Sequence, residues 1–200
     1  SPLQRFMLSQ ALRDDEGFED PYTIQTWGRL NGSFDAQCVG RVWELLVQRH
    51  AALRTAFVNQ GQREPRQVVL AQGHLQLHVL DWRDSLRDFD VAFAELRAAD
   101  RQCRFDLVKP PLMRLTLVRT GAQSWCFLLS NHHLIIDGWS QQIVMGEFQQ
   151  LLNAELEDTP IELPPAIGPQ ALLRRFQANA PDTVLAQWTA ALAGWVHQAL

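Results

Sequence analysis

The sequence predicts a mixed fold, α/β or α+β, in which helices interleave with strands around a mixed sheet. Three observations carry that prediction. Segments with apolar residues at three-four spacing take turns along the chain with segments whose polarity alternates residue by residue. The run Trp125-Cys126-Phe127-Leu128-Leu129 is almost continuously apolar, as expected of a strand covered on both faces. Breaks at Gly32-Ser33, Asn59 to Pro65, Pro110-Pro111 and Gly121 separate these segments.

Ser1 to Leu12 reads as a short amphipathic helix carrying Leu3, Phe6, Met7 and Leu8, followed by an acidic surface loop from Arg13 to Pro21. Tyr22 to Leu30 alternates as a strand. Phe34 to His50 places Phe34, Cys38, Val42, Leu45 and Leu46 on one helical face. Ala52 to Val58, Gln67 to Ala71 and Leu75 to Leu80 read as three short strands, and Asp88 to Cys103 returns to helix. Met113 to Leu117 alternates cleanly, and Gly121 turns it back onto the Trp125–Leu129 run as a hairpin. Trp139 to Leu156 is the longest helix, with Trp139, Ile143, Phe148, Leu151, Leu152 and Leu156 along one side. Residues 159–181 carry Pro160, Pro164, Pro165, Pro169 and Pro181 and read as an extended connection with a helical patch around Ala171–Phe176. Asp182 caps a last helix with Val184, Leu185, Trp188 and Leu192 as its stripe, and Gly194 is placed to end it.

Composition narrows the function classes. The chain has 200 residues, 46% hydrophobic and 20% charged, which suits one globular domain or one lobe of a larger one. A net charge of −4 leaves no basic field for nucleic acid or for an anionic membrane. No apolar run approaches the ~20 residues that span a bilayer. The start shows no signal peptide, and Cys38, Cys103 and Cys126 read as three reduced core thiols, so a cytoplasmic location is expected. Opening on Ser1 rather than methionine points to an excised piece or a processed start.

The chemistry concentrates in Asn131-His132-His133-Leu134-Ile135-Ile136-Asp137-Gly138-Trp139-Ser140, where a buried strand ends and a helix begins. Imidazole titrates near working pH and can accept a proton and return it. Adjacent histidines at a strand end diverge, so one faces a given cleft and the other packs elsewhere. Asp137 can hold the loop by accepting backbone N–H bonds or pairing with an arginine. Gly138 permits close approach at a helix N-terminus, where negative charge is favoured. These are parts for acyl transfer, a base and donors for an oxyanion. Zinc fits poorly, because the two histidines diverge and no HxxxH or CxxC spacing is present. His50, His74, His78 and His197 read as structural.

The arrangement His132-His133-x-x-x-Asp137-Gly138 resembles the HHxxxDG signature of nonribosomal peptide synthetase condensation domains, shared with chloramphenicol acetyltransferase. Trp139-Ser140 matches the condensation form HHxxxDGWS. Three further stretches are similar to the family's motifs in the expected order. They are Ser1-Pro2-Leu3-Gln4-Arg5-Phe6-Met7, then Arg49 to Phe57, then Arg104-Phe105-Asp106-Leu107 with Pro111-Leu112-Met113-Arg114.

The resemblance implies an α/β fold, a chloramphenicol acetyltransferase-like lobe with a mixed β-sheet flanked by helices, one half of a two-lobed V-shaped domain. On that reading residues 1–158 are the N-terminal lobe, 159–181 a Pro-rich crossover, and 182–200 the first helix of the connection toward a C-terminal lobe. It implies amide-bond formation between a donor acyl or peptidyl thioester and the amine of an acceptor aminoacyl thioester. Both substrates are tethered to 4′-phosphopantetheine on donor and acceptor carrier proteins, and no cofactor is bound by the chain itself. His133 is then the active histidine and His132 structural, with Asp137 holding the loop and Gly138 offering an N–H or room. In the family, the motif aspartate pairs with an arginine of the second lobe. Trp139, Ser140 and Arg54 are expected beside the substrate, Arg54 either as a charge near the site or as a surface arginine.

Two other readings compete, a non-catalytic lobe that docks carrier proteins or tailoring enzymes, and an epimerisation domain. The intact histidine pair favours catalysis over docking, and Trp139 with the Arg49–Phe57 stretch favours condensation over epimerisation. An acetyltransferase trimer fits less well, because its motif lies close to the C-terminus.

Overall fold

The computed structural model describes residues 1–13, 19–59, 65–168, 171, 174, 181–191 and 193. They form two compact units, Ser1–Pro165 and Ala166–Leu200. The first unit is built on a four-stranded sheet of β1 (Thr23–Asn31), β6 (Ser124–His132), β5 (Met113–Arg119) and β4 (Gln76–Asp81), in that spatial order. The outer strand β4 runs parallel to β5, and the other neighbours are antiparallel, so the sheet is mixed. Thr23 lies opposite His132, and Met113 lies opposite Asn131, which brings β1, β5 and the histidine end of β6 into one row.

Helices cover both faces, which explains the unbroken apolar run of β6. Trp125 and Leu129 join the main core with α1 (Pro2–Ala11), α2 (Ala36–Arg49) and α4 (Gly138–Glu157). Cys126 and Leu128 pack on the other side against Phe93 of α3 (Phe89–Gln102). The starts of α1, α2, α3 and α4 are capped as their sequence dictates. The Ser1 hydroxyl accepts the Gln4 N–H at 3.2 Å, while the amino terminus donates to the Gln4 side chain at 3.0 Å, a capping box. Asp35, Asp88 and Asp137 cap α2, α3 and α4. A second sheet pairs β2 (Thr55–Val58) with β3 (Arg66–Val69).

Several expectations are corrected. Ala52-Leu53-Arg54 is not strand but part of a 3₁₀ turn, Ala51–Arg54, that leads into β2. The apolar stripe of α4 is rotated: Val144, Phe148 and Leu152 are buried, while Trp139, Ile143 and Leu156 are exposed. This helix carries two apolar lines, and stacking of Trp43 on Phe148, centroids 5.1 Å apart, selects which one faces α2. Leu45 is likewise exposed, because α2 buries Val39, Val42, Trp43, Leu46 and Val47 instead. Cys103 is exposed at the end of α3, so only Cys38 and Cys126 are core thiols. The stretch after α1 is not wholly surface, since Asp20 is 4% exposed.

In the second unit, α5 (Pro181–Ala191) starts at Pro181, so Asp182 lies inside its first turn rather than capping it. Trp188 is exposed, while Leu192, Gly194 and most of the Ala171–Phe176 patch lie outside the described residues. Among the described residues, no helix is long and apolar enough to cross a membrane.

Candidate active site

Strand β6 ends at His132 and α4 begins at Gly138, so five residues make the turn between them. The two histidines diverge. His132 is fully buried, whereas His133 is half-buried, its backbone N–H donating to Tyr22 O at 2.8 Å. The His133 ring turns back on the same turn, with Nδ1 2.8 Å from the Ile136 carbonyl oxygen. A carbonyl only accepts, so Nδ1 carries the hydrogen and the neutral ring keeps its lone pair on Nε2. That is the tautomer a base for an incoming nucleophile needs.

His132 is held in the opposite tautomer. The Leu134 N–H donates to its Nδ1 at 3.0 Å, so the hydrogen sits on Nε2, which donates to Asp20 Oδ2 at 2.9 Å. Tyr22 and Phe105 flank the ring, each with its centroid 6.4 Å away. Burial alone pushes the Asp20 carboxyl up. The His132 hydrogen bond, the Tyr22 N–H at 2.9 Å and the nearby Arg104 charge outweigh burial and hold it below 3.8. The turn is also pinned from the N-terminal helix, where Gln4 Nε2 donates to Leu134 O at 3.1 Å.

Asp137 is exposed and caps α4, accepting the Ser140 N–H at 2.8 Å. That backbone bond, then the Ser140 hydroxyl, outweigh burial and hold its carboxyl below the ordinary 3.8. Gly138 opens the helix, and a Cβ built there meets nothing within 4 Å. Its N–H belongs to the first helical turn, whose donors have no intrahelical partner and favour negative charge. Trp139 is 84% exposed and Ser140 is exposed beside it.

Six of the sequence-predicted residues, His132, His133, Asp137, Gly138, Trp139 and Ser140, therefore lie together from the last residue of β6 to the first turn of α4. Arg54 stands outside that stretch of chain, in the 3₁₀ turn between α2 and β2. Its guanidinium donates to the carbonyls of Val47, Gln48, Leu70 and Ala71, tying the end of α2 to the residues after β3. Among the described residues, no three His, Cys, Asp or Glu side chains are grouped to hold a metal ion.

The supporting polar groups are invisible to sequence reasoning, because their partners lie far along the chain. Glu147 of α4 accepts from Arg49 Nε at 2.9 Å and lies 2.6 Å from His50 Nε2, so the Arg49-His50 pair anchors α4 to α2. Asp100 at the end of α3 accepts from Arg114 of β5, Ser130 of β6 and Gln25 of β1. This carboxylate fastens three adjacent strands just before the histidines. Arg114 also stacks over Phe105 at 4.4 Å.

A histidine offered from the end of a central strand, beside a helix N-terminus, on a mixed sheet flanked by helices defines a chloramphenicol acetyltransferase-like lobe. A family model described as Condensation domain matches residues 1–167, and the chain belongs to that family. A linear gramicidin synthase of Brevibacillus parabrevis is 32% identical over 196 residues, covering 98% of this chain and 4% of that protein. The crystal structure of the SgcC5 protein from Streptomyces globisporus superposes with a TM-score of 0.77 at 25% identity, over 99% of this chain and 46% of that one. A mutant of the starter condensation domain of rhizomide synthetase, in complex with C8-CoA, shares the fold with a TM-score of 0.85 at 21% identity, over 100% of this chain and 46% of that one. The chain thus spans about half the length of the solved chains and a small fraction of the synthase.

Proposed function

We propose that this lobe serves amide-bond formation in nonribosomal peptide synthesis, with both substrates carried as thioesters on the phosphopantetheine arms of donor and acceptor carrier proteins. The observation that carries the reading is the His133 tautomer, with Nδ1–H on Ile136 O and a lone pair on Nε2. The acceptor amine attacks the donor thioester carbonyl, a C–N bond forms, and the C–S bond breaks. The amine proton passes to His133 Nε2 and on to the departing thiolate. An aminoacyl amine has a pKa near 8 and is partly neutral at pH 7, so His133 contributes by orienting it as well as by taking its proton.

Asp137 keeps the α4 N-terminus in register, and Gly138 leaves room there for the tetrahedral intermediate. Trp139 and Ser140 border the substrate path, and Asp137 meets an arginine of a C-terminal lobe. Residues 1–158 act as the N-terminal lobe, with 159–181 as crossover and 182–200 leading on. The gramicidin, bacitracin and surfactin synthases among the relatives support a place in secondary-metabolite assembly.

The test is single-turnover condensation in the complete two-lobed protein with loaded carriers, read by intact mass, comparing wild type with His133→Ala. Loss of amide product with carrier binding unchanged supports the reading. Equal yields overturn His133 as the reaction centre, and carrier binding without product in either protein favours a docking lobe.

A further inference from the structure

We infer that Asp20 is a positioning residue for the chemistry at His133, an inference that rests on the proposed condensation activity. Asp20 lies outside every motif stretch that carries the family resemblance, yet it is 4% exposed and faces the fully buried His132. Its two carboxylate oxygens have separate partners, the Tyr22 N–H on Oδ1 and His132 Nε2–H on Oδ2. Both partners are donors, so both oxygens accept, which suits the ionised carboxylate, an acceptor at both atoms.

The consequence travels through His132. With its hydrogen fixed on Nε2, its Nδ1 is free to accept the Leu134 N–H. Leu134 is then held at both ends, by His132 on its N–H and by Gln4 on its C=O. Two residues on, the Ile136 carbonyl accepts the His133 Nδ1–H. Tyr22, the other partner of Asp20, accepts the His133 backbone N–H. Asp20 thus reaches His133 by two routes, one through the turn and one through the start of β1. Removing the acceptor on Oδ2 lets the His132 hydrogen move to Nδ1, where it opposes the Leu134 N–H and loosens the turn that sets the His133 ring.

The test uses Asp20→Asn in the complete two-lobed protein, alongside His133→Ala, with ¹⁵N-labelled histidine. The amide is isosteric, but one of its two atoms is a donor, so it cannot satisfy both Tyr22 and His132. Three results are expected for Asp20→Asn. The His132 ring ¹⁵N resonances lose the pattern of protonated Nε2 and unprotonated Nδ1. The single-turnover rate falls roughly 10- to 100-fold, the scale of a small misplacement of a catalytic group. The KM for loaded carrier is unchanged.

An Asp20→Asn protein with the wild-type rate and His132 signature, while His133→Ala is inactive, overturns the inference and leaves the condensation reading intact. If His133→Ala keeps the wild-type rate, the condensation reading falls instead, and no positioning role for Asp20 survives it. Should Asp20→Asn fail to fold, the wild-type spectrum decides, because a His132 protonated on Nδ1 alone overturns the inference.

Discussion

Two histidines adjacent in the chain carry opposite tautomers, and each is set by what the ring nitrogens meet. His132 faces a carboxylate and a backbone N–H, and His133 faces a carbonyl. Removing His133 therefore takes away one ring and leaves the His132 anchor intact, which makes His133→Ala a test of chemistry rather than of folding. Gly138 supports a second test at this scale. A Cβ there meets nothing within 4 Å, so Gly138→Ala should leave unfolding free energy within about 0.5 kcal/mol of wild type, as at other uncrowded surface sites. On the proposed mechanism the added methyl stands in the room for the tetrahedral intermediate, so amide yield should fall. Denaturant melts paired with single-turnover assays check both halves, and a yield unchanged from wild type removes the steric role given to this glycine.

At the scale of elements, the turn depends on α4 starting where it does. Asp137→Ala removes the cap on Ser140 N–H and should cost about 1 kcal/mol, while Asp137→Asn retains most of it; urea melts of the two variants check the difference. The strands depend on Asp100. Burial raises its carboxyl, but bonds from Arg114, Ser130 and Gln25 outweigh burial and hold it below 3.8. A depressed folded pKa gives stability that is fully present above the unfolded value near 4 and lost as pH falls through the folded one. The Asp100 contribution to the urea midpoint should therefore be constant from about pH 7 to 5 and be lost below about pH 4, and Asp100→Asn should flatten that acid limb. A mutant curve with the wild-type acid slope assigns the loss to other carboxylates.

The same elements show what sequence can and cannot convey. Periodicity locates α1, α2, α3, β1, β5, β6 and α4, because each meets the core along one regular face. It misassigns the α4 stripe, because Trp139-Ile143 and Val144-Phe148-Leu152 are equally apolar and only the position of Trp43 chooses between them. The motif from His132 to Ser140 is legible as a cluster because it is contiguous. Asp20, Asp100 and Glu147 are not, since each acquires its meaning from a partner on another element.

For the whole molecule, the position of the turn decides what the lobe does alone. His133 is half-buried, the four residues from Asp137 to Ser140 are exposed, and no described part of the first unit encloses Trp139. Leu3 and Phe6 of α1 and Ile143 of α4, elements that bracket the turn, are more than half exposed as well. Amide formation passes through a charged tetrahedral intermediate, and fixed donors stabilise it strongly only where water is excluded. A carrier-bound thioester at this open face would also meet water as a competing nucleophile. The 200-residue chain on its own should therefore give no amide from loaded carriers, and the complete two-lobed protein should give it in a single turnover. Full yield from the isolated chain would mean that the first unit completes the reaction without a cover, and the two-lobed site would then be wrong.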